Sequence, residues 1–267
     1  MSAFCTLVTA FYPIRSKFSQ EQYLQWAATF LTLEAPIVLF TTSDLAPTFQ
    51  SLRSGKPLVI YDAPFSDLYM WATYEQEWRT HHTFDHEAFR HTPELYALWA
   101  QKAVFVNDAV DRNPFHTDYF FWCDIGAFRD GYVDPVVRAT FPSTRHLVAE
   151  RLALCSVRPL EEGETAETLF QFKDRLVGGL WGGDAEACRR WRQAYEEVLK
   201  EYLQAGRFAG KDQSVMLTAY LKDPTLAVVY RPPTVEDWFY FTRLHSDLGL
   251  EPVLDATFAR MRSLKNA

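Results

Sequence analysis

Four short stretches of the chain hold residues able to do chemistry. Residues 118–123, Asp-Tyr-Phe-Phe-Trp-Cys, form an unbroken aromatic run that ends at Asp124-Ile125-Gly126. An acid that closes a central strand and precedes a glycine stands where open α/β sheets bind ligands, because the loops at the strands' carboxyl ends form the crevice. Asp124 there can hold Mg²⁺ or Mn²⁺ against a diphosphate, since these hard cations take oxygen ligands and often only one or two carboxylates. Gly126 would let the ligand approach the backbone. The competing reading is a strand-end turn in which Asp124 caps local amides. Lys102 lies inside the apolar stripe of Leu95, Leu98, Val106 and Ala109, four residues from Leu98 and from Val106. Either its stem runs along the core to put the ammonium in water, or the ammonium meets an anion such as a nucleotide diphosphate.

Residues 178–183, Gly-Gly-Leu-Trp-Gly-Gly, offer backbone that a sugar can approach, with Trp181 as a stacking platform. A plain strand-to-helix turn accounts for the same glycines, and the run lacks the lysine of a Walker-type loop. Asp212-Gln213 opens a short helix, where Asp212 either caps the helix or binds acceptor hydroxyls while Gln213 faces a reacting carbon. Other groups carry less. His86 and His91 stand five apart, not the four of a zinc-protease helix, and His82 with His86 lies in an exposed polar stretch. Arg189, Arg190 and Arg192 interleave with Glu186, Glu196 and Glu197 as a solvated helix face does. Cys123 reads as inert core, although a Cys-His-Asp set meets only in space and stays open.

The elements that must position these residues alternate. Residues 4–10, 36–41 and 58–61 are short apolar runs, and residues 20–33 between the first two carry helical spacing at Tyr23, Ala27, Phe30 and Leu31. Strand, helix, strand predicts a parallel sheet. Residues 65–91 read as a long aromatic and histidine-rich excursion on the sheet's carboxyl side, of the kind that covers a ligand. Helices are expected over residues 94–111 and from Asp184 to near Gly206, with strands at 118–123 and 172–177 and a glycine turn at 178–183. No linker or repeat interrupts the chain, so residues 1–267 are expected to form a single domain.

Composition sets the limits. Apolar residues make up 48% and charged residues 23%, enough for a full core, and the chain's 267 residues suit one large α/β domain. A net charge of −7 opposes the counterion release that drives binding to nucleic acid, so none is expected as a partner. Aromatic residues at 16%, eight of them Trp, exceed what such a core needs and suit ring stacking. Four cysteines without C-x-x-C spacing imply reduced thiols. The first residues read as a buried strand rather than a signal peptide, and no apolar run reaches the ~18 residues of a membrane span. Together these predict a cytoplasmic protein.

At this point the motifs are similar to those of a known family: Leu7-Val8-Thr9-Ala10-Phe11-Tyr12, Phe121-Trp122-Cys123-Asp124-Ile125-Gly126 with Phe128-Arg129, the Gly-Gly-Leu-Trp-Gly-Gly run and Lys211-Asp212-Gln213. Over nearly the whole chain they resemble the HtrL/YibB family, which includes WlaTC-like proteins, is associated with bacterial surface-polysaccharide genes and looks like GT-A-fold glycosyltransferases. The resemblance implies an α/β, GT-A-like (Rossmann-like) fold with a mixed, mainly parallel central sheet flanked by helices. Residues 1–130 would be the nucleotide-binding half and residues 131–267 the acceptor and catalytic half. By the same resemblance Thr9, Phe11 and Tyr12 bind the nucleotide base, with Thr41 and Thr42 nearby. Asp124 matches the first acid of a D-x-D metal motif whose third position is Gly126 here, and His245 is a late metal ligand beside Mn²⁺ or Mg²⁺. Asp212-Gln213 is similar to the Asp-Gln pair of retaining enzymes. Gly179, Trp181, Gly182 and Asp184 would make the wall on the acceptor side. The implied activity is transfer of a hexose from a nucleotide-diphosphate sugar, a UDP-sugar favoured, to a saccharide or glycoconjugate acceptor. A catalytically silent nucleotide-sugar or carbohydrate binder on the same fold is the alternative.

Overall fold

Seven strands form one sheet in the computed structural model, which describes residues 5–265: β1 (Cys5–Ala10), β2 (Ile37–Thr41), β3 (Leu58–Asp62), β4 (Tyr119–Cys123), β5 (Leu152–Cys155), β6 (Leu180–Asp184) and β7 (Ala227–Tyr230). Phe4, expected at the head of β1, lies outside the described residues. The order is β3-β2-β1-β4-β6-β5-β7, and every neighbouring pair is parallel except the two that involve β6. A mainly parallel sheet with one reversed strand in this order is the GT-A-like arrangement. The registers Val8↔Trp122 and Cys123↔Leu180 bring the carboxyl ends of β1 and β4 beside the start of β6.

Side chains alternate across the pleat, so each strand feeds two cores. Val8, Phe120, Trp122 and Trp181 face one side, Leu7, Phe121, Cys123 and Leu180 the other, and both faces are covered. The first core is roofed by α3 (Tyr69–His82), α4 (Pro93–Arg112), α6 (Ala185–Gln204) and α7 (Asp212–Lys222), with α9 (Ala256–Lys265) at its edge. The second lies under α1 (Gln20–Phe30), α2 (Ala46–Leu52), α5 (Pro135–Thr140) and α8 (Tyr240–Leu244). Caps explain where the long helices begin. Thr92 accepts from the Leu95 amide with Pro93 in the first turn of α4, and Asp184 accepts from the Ala187 amide at the start of α6.

Two expectations need correction. Residues 65–91 are not an open excursion, because α3 occupies most of them and buries Met70, Trp71, Tyr74, Trp78 and His81 against α4. The helical period is blurred by Tyr74, whose φ of −127° interrupts the helix, and by Trp78, whose indole N–H is satisfied on the Met70 carbonyl. Residues 172–177 are not a strand, and the strand is the glycine-bearing segment Leu180–Asp184 instead. Glycine serves it because the Phe121 ring occupies the place of a side chain at Gly182, an inversion of the usual rule that glycine weakens strands.

Candidate active site

Two cavities adjoin at the carboxyl ends of β1 and β4. The smaller, about 110 Å³, is mainly aromatic and aliphatic, lined by Phe11, Tyr12, Tyr23, Leu95 and Trp122. The larger, about 440 Å³, carries more charged side chains on its wall, with Lys17, Lys211, Asp212 and Gln213 beside Gly178, Gly179 and Phe239. Trp99, Lys102, Asp124, Gly126 and Arg129 belong to both walls.

Asp124 directly follows β4, and its amide donates to the Gly179 carbonyl at 2.8 Å, which locks the strand end to the start of β6. Its carboxylate is 45% exposed and faces the cleft. Oδ1 accepts from Trp122 Nε1 at 2.6 Å and pairs with Lys102 Nζ at 3.2 Å; the side chain is therefore not the cap of a local turn. Lys102 has the deepest charge in the cleft. Its ammonium also donates to Asp212 Oδ2 at 2.9 Å and to the Gly178 carbonyl at 3.1 Å, so its three N–H groups all have protein acceptors. Burial pushes the Lys102 ammonium toward neutrality, but Asp124 and Asp212 outweigh it and raise the pKa to about 12.

Asp212 is the first residue of α7 and is buried. Its Oδ1 accepts from the Gln213 amide at 2.9 Å while Oδ2 takes Lys102, so each oxygen has a donor. Gln213 is held by its own amide group, which donates to the Leu176 carbonyl at 2.8 Å. The two glycines at the start of the loop explain themselves here. A Cβ on Gly178 would lie 2.8 Å from Asp212 Oδ2, and one on Gly179 would lie 2.6 Å from Asp124 Oδ2. Each glycine makes room for one carboxylate.

The family model described as a bacterial protein of unknown function, HtrL_YibB, matches residues 4–247. The chain belongs to that family. Protein HtrL of Escherichia coli (strain K12) is 22% identical over 258 residues, covering 85% of this chain and 87% of that protein. Three solved structures show looser likenesses of shape. Core-mannan synthase A from Aspergillus fumigatus, in its Mn/GDP form, is 12% identical with a TM-score of 0.48, covering 85% of this chain and 72% of that one. A 4-diphosphocytidyl-2C-methyl-D-erythritol synthase is 10% identical with a TM-score of 0.38, covering 91% and 98%. Mannose-1-phosphate geranyltransferase from Thermus thermophilus is 13% identical with a TM-score of 0.32, covering 81% and 68%.

Of the residues singled out in this family member's sequence, Phe11, Tyr12, Lys102, Asp124, Gly126, Gly179, Asp212 and Gln213 line the cleft. The others do not. Thr9 is fully buried within β1, Thr41 spends its hydroxyl on the Phe11 carbonyl at 2.8 Å, and neither they nor Thr42 reach a cavity wall. Trp181 is 2% exposed in the core behind the sheet and cannot stack on a sugar. Gly182 packs on Phe121. Asp184 pairs in register with Tyr119 at the opposite end of the sheet, because β6 runs antiparallel to β4, and there it caps α6. His245 is wholly buried among Phe121, Tyr230 and Phe241, with Nδ1 3.3 Å from the Ser143 carbonyl. Burial lowers its pKa to about 3, and its enclosure by these rings away from both cavity walls makes it a core residue rather than a ligand beside Asp124. At Gly126 the missing side chain makes room for the rings of Tyr23 and Trp26 rather than for a ligand.

Several wall residues carried no role in the sequence reading. Trp99 stands three residues before Lys102 on α4, the spacing that puts both on one helix face. Lys211 and Arg129 sit inside motifs that attracted notice for their neighbours. The Cys123 thiol is buried, and burial followed by the Asp124 charge pushes its pKa far up, which removes it as a nucleophile. Among the described residues, no three His, Cys, Asp or Glu side chains converge as a metal cluster, and no helix is long and apolar enough to cross a membrane.

Proposed function

We propose that the cleft binds a nucleotide-diphosphate sugar and transfers its sugar to a hydroxyl acceptor. The observation that carries this reading is the position of Asp124 on the shared wall of an aromatic cavity and a cation-lined one. The base lies in the first, against Phe11, Tyr12 and Leu95, and a UDP-sugar is the donor favoured. The hexose lies in the second, between Gly178-Gly179 and Asp212-Gln213, with room left for a saccharide acceptor. The buried thiols of Cys123, Cys155 and Cys188 support a reducing, cytoplasmic setting.

The arrangement favours retention of the anomeric configuration. Asp212 and Asp124 are the two carboxylates on the wall of the sugar cavity, and both oxygens of Asp212 are engaged, by Lys102 and by the Gln213 amide, rather than turned toward an acceptor. The acceptor oxygen then bonds to the anomeric carbon on the face that the diphosphate oxygen leaves, and its proton passes to that departing oxygen. Lys102 holds Asp212 and Asp124 in place, and Gln213, fixed on the Leu176 carbonyl, lies beside the sugar. The donor set also fits a divalent ion at its minimum: Asp124 Oδ2 would hold Mg²⁺ or Mn²⁺ through one carboxylate oxygen, as hard cations bound beside phosphates accept. Such an ion would neutralise charge on the diphosphate as it leaves.

The fact that one acid stands where D-x-D motifs have two supports a second reading, a binder that holds a nucleotide sugar without consuming it. Incubating the protein with UDP- and GDP-sugars and following nucleoside diphosphate release separates the two. Asp124→Asn keeps an acceptor for Trp122 but loses the charge, so release should fall by about 10²–10³-fold while the thermal midpoint moves little. Wild-type release by Asp124→Asn would remove Asp124 from the chemistry. A donor that raises the wild-type midpoint and is never turned over would favour the binder.

A further inference from the structure

A diphosphate needs donors that the protein has not already used, and the cleft holds four cations in unequal states. Lys17, Lys102, Arg129 and Lys211 line the larger cavity against two carboxylates, a net of two positive charges in a chain whose own net is −7. Lys102 has all three N–H groups committed. Lys211 is paired with Asp174 at 3.1 Å and with Glu87 at 3.9 Å. Arg129 and Lys17 have no carboxylate within salt-bridge distance among the described residues.

Arg129 is also the better placed of the pair. It follows the turn closed by the Ala127 amide on the Asp124 carbonyl, and Phe128 beside it is buried against Phe30. Its Nε donates to the Gly126 carbonyl at 3.1 Å, while its guanidinium lies 4.9 Å from the Trp26 ring centre, 5.2 Å from Phe18 and 5.6 Å from Phe239. These contacts hold the planar fork in place and leave the donors on its two terminal nitrogens without a protein acceptor, the state suited to bidentate binding of phosphate. Lys17 lies over the same Phe18 ring at 5.5 Å.

We infer that Arg129, assisted by Lys17, forms the cradle for the donor's diphosphate, a task for which Lys102 has no donor left. The inference rests on the nucleotide-sugar reading for its choice of anion. Arg129 lines both cavities, so an anion on its fork sits between the base slot and the sugar cavity, where the diphosphate of a nucleotide sugar must lie. Phe18 orders both cations at once.

The test is calorimetric titration of inorganic pyrophosphate, UDP, CDP, GDP, ADP and uridine in a chelator-containing buffer, with the wild type, Arg129→Gln, Arg129→Lys and Lys17→Gln. Loss of charge-assisted hydrogen bonds should weaken pyrophosphate and UDP about 10- to 100-fold in Arg129→Gln and less in Lys17→Gln, with Arg129→Lys between Arg129→Gln and the wild type. Uridine, which has no phosphate, should bind the wild type and Arg129→Gln alike. Circular dichroism checks that each variant is folded. Unchanged pyrophosphate and UDP affinity in Arg129→Gln overturns the cradle, as does a wild type that binds no pyrophosphate. A wild type that binds pyrophosphate through Arg129 but shows no added affinity for any nucleoside diphosphate keeps the cradle and overturns the nucleotide-sugar reading.

Discussion

The floor of the cleft and its rim carry the same kinds of charge in opposite states. On the floor, the Lys102 ammonium is 8% exposed and joined to Asp124, Asp212 and a backbone carbonyl. On the rim, Arg129 is exposed, braced by aromatic rings, and short of acceptors for its terminal nitrogens. A buried charge must be satisfied by the protein because the cost of leaving it unpaired is several kcal/mol, whereas an exposed one is solvated by water until a ligand displaces it. The floor therefore belongs to the fold as much as to the site. The rim belongs to the ligand.

The largest test of that division removes the floor's cation. Lys102→Met leaves Asp212 buried without its charge partner, and unfolding stability should fall by about 3–5 kcal/mol in urea titrations. The double variant Lys102→Met with Asp212→Asn should recover part of the loss, because it removes the orphaned charge along with its partner. A single variant that loses under about 1 kcal/mol would show that the floor is not structural. The deficit also has a pH signature. Lys102 titrates at about 12 in the folded chain against ~10.4 unfolded, so its stabilisation is complete below pH ~10.4 and disappears as pH rises through 12. The gap between wild type and Lys102→Met should stay constant from neutral pH to about 9 and narrow above about 10.4.

The paired glycines sharpen the comparison within the floor itself. Gly178→Ala drives a methyl group against Asp212, which is buried and has no space to yield, and should cost about 1–3 kcal/mol. Gly179→Ala presses on Asp124, which is half exposed with the open cleft beside it, so its stability cost should stay under about 1 kcal/mol. Activity should show the reverse order, with Gly179→Ala the more damaging because it moves the acid that faces the ligand. Equal effects on stability would mean that the two carboxylates are equally confined.

Much of this site was legible one residue at a time. Asp124 was marked by its place after an apolar strand, Lys102 by its place in an apolar helix stripe, and Asp212 by its place at a helix start. Their convergence was not legible, because Lys102 and Asp212 are 110 residues apart and meet only through the crossing of α4 and α7 beside β6. The alternation of strands and helices was readable over β1 to β4, where apolar runs match the pleat. It failed at β6, since Gly182 and Gly183 erase the apolar pattern of a strand, and with it went the placement of Trp181 and Asp184. His245 carried no local pattern at all, and its burial is decided by aromatic side chains from β4, β7 and α8. Arg129 shows the converse limit: a sequence displays a charge, but whether that charge finds a partner is settled only by packing.

The smallest expected effect is the most direct measure of the rim. Arg129→Gln gives up the cation–π attraction of one exposed guanidinium to the rings around it, worth about 0.5–1 kcal/mol at an exposed site, and glutamine keeps much of the stem's packing. The net loss of stability should be about 1 kcal/mol or less, several-fold below that of Lys102→Met. Salt provides the control that size alone cannot. Raising ionic strength from about 0.1 M to about 1 M shortens the screening length from ~10 Å to ~3 Å, which weakens charges in contact with water and spares a buried ion pair. Pyrophosphate affinity should therefore fall with salt more steeply in the wild type than in Arg129→Gln, where Lys17 remains, while the stability gap caused by Lys102→Met persists. If salt were to erase that gap while leaving pyrophosphate affinity intact, the two regions would have to exchange roles, and the rim's aromatic bracing would be a feature of folding rather than of anion capture.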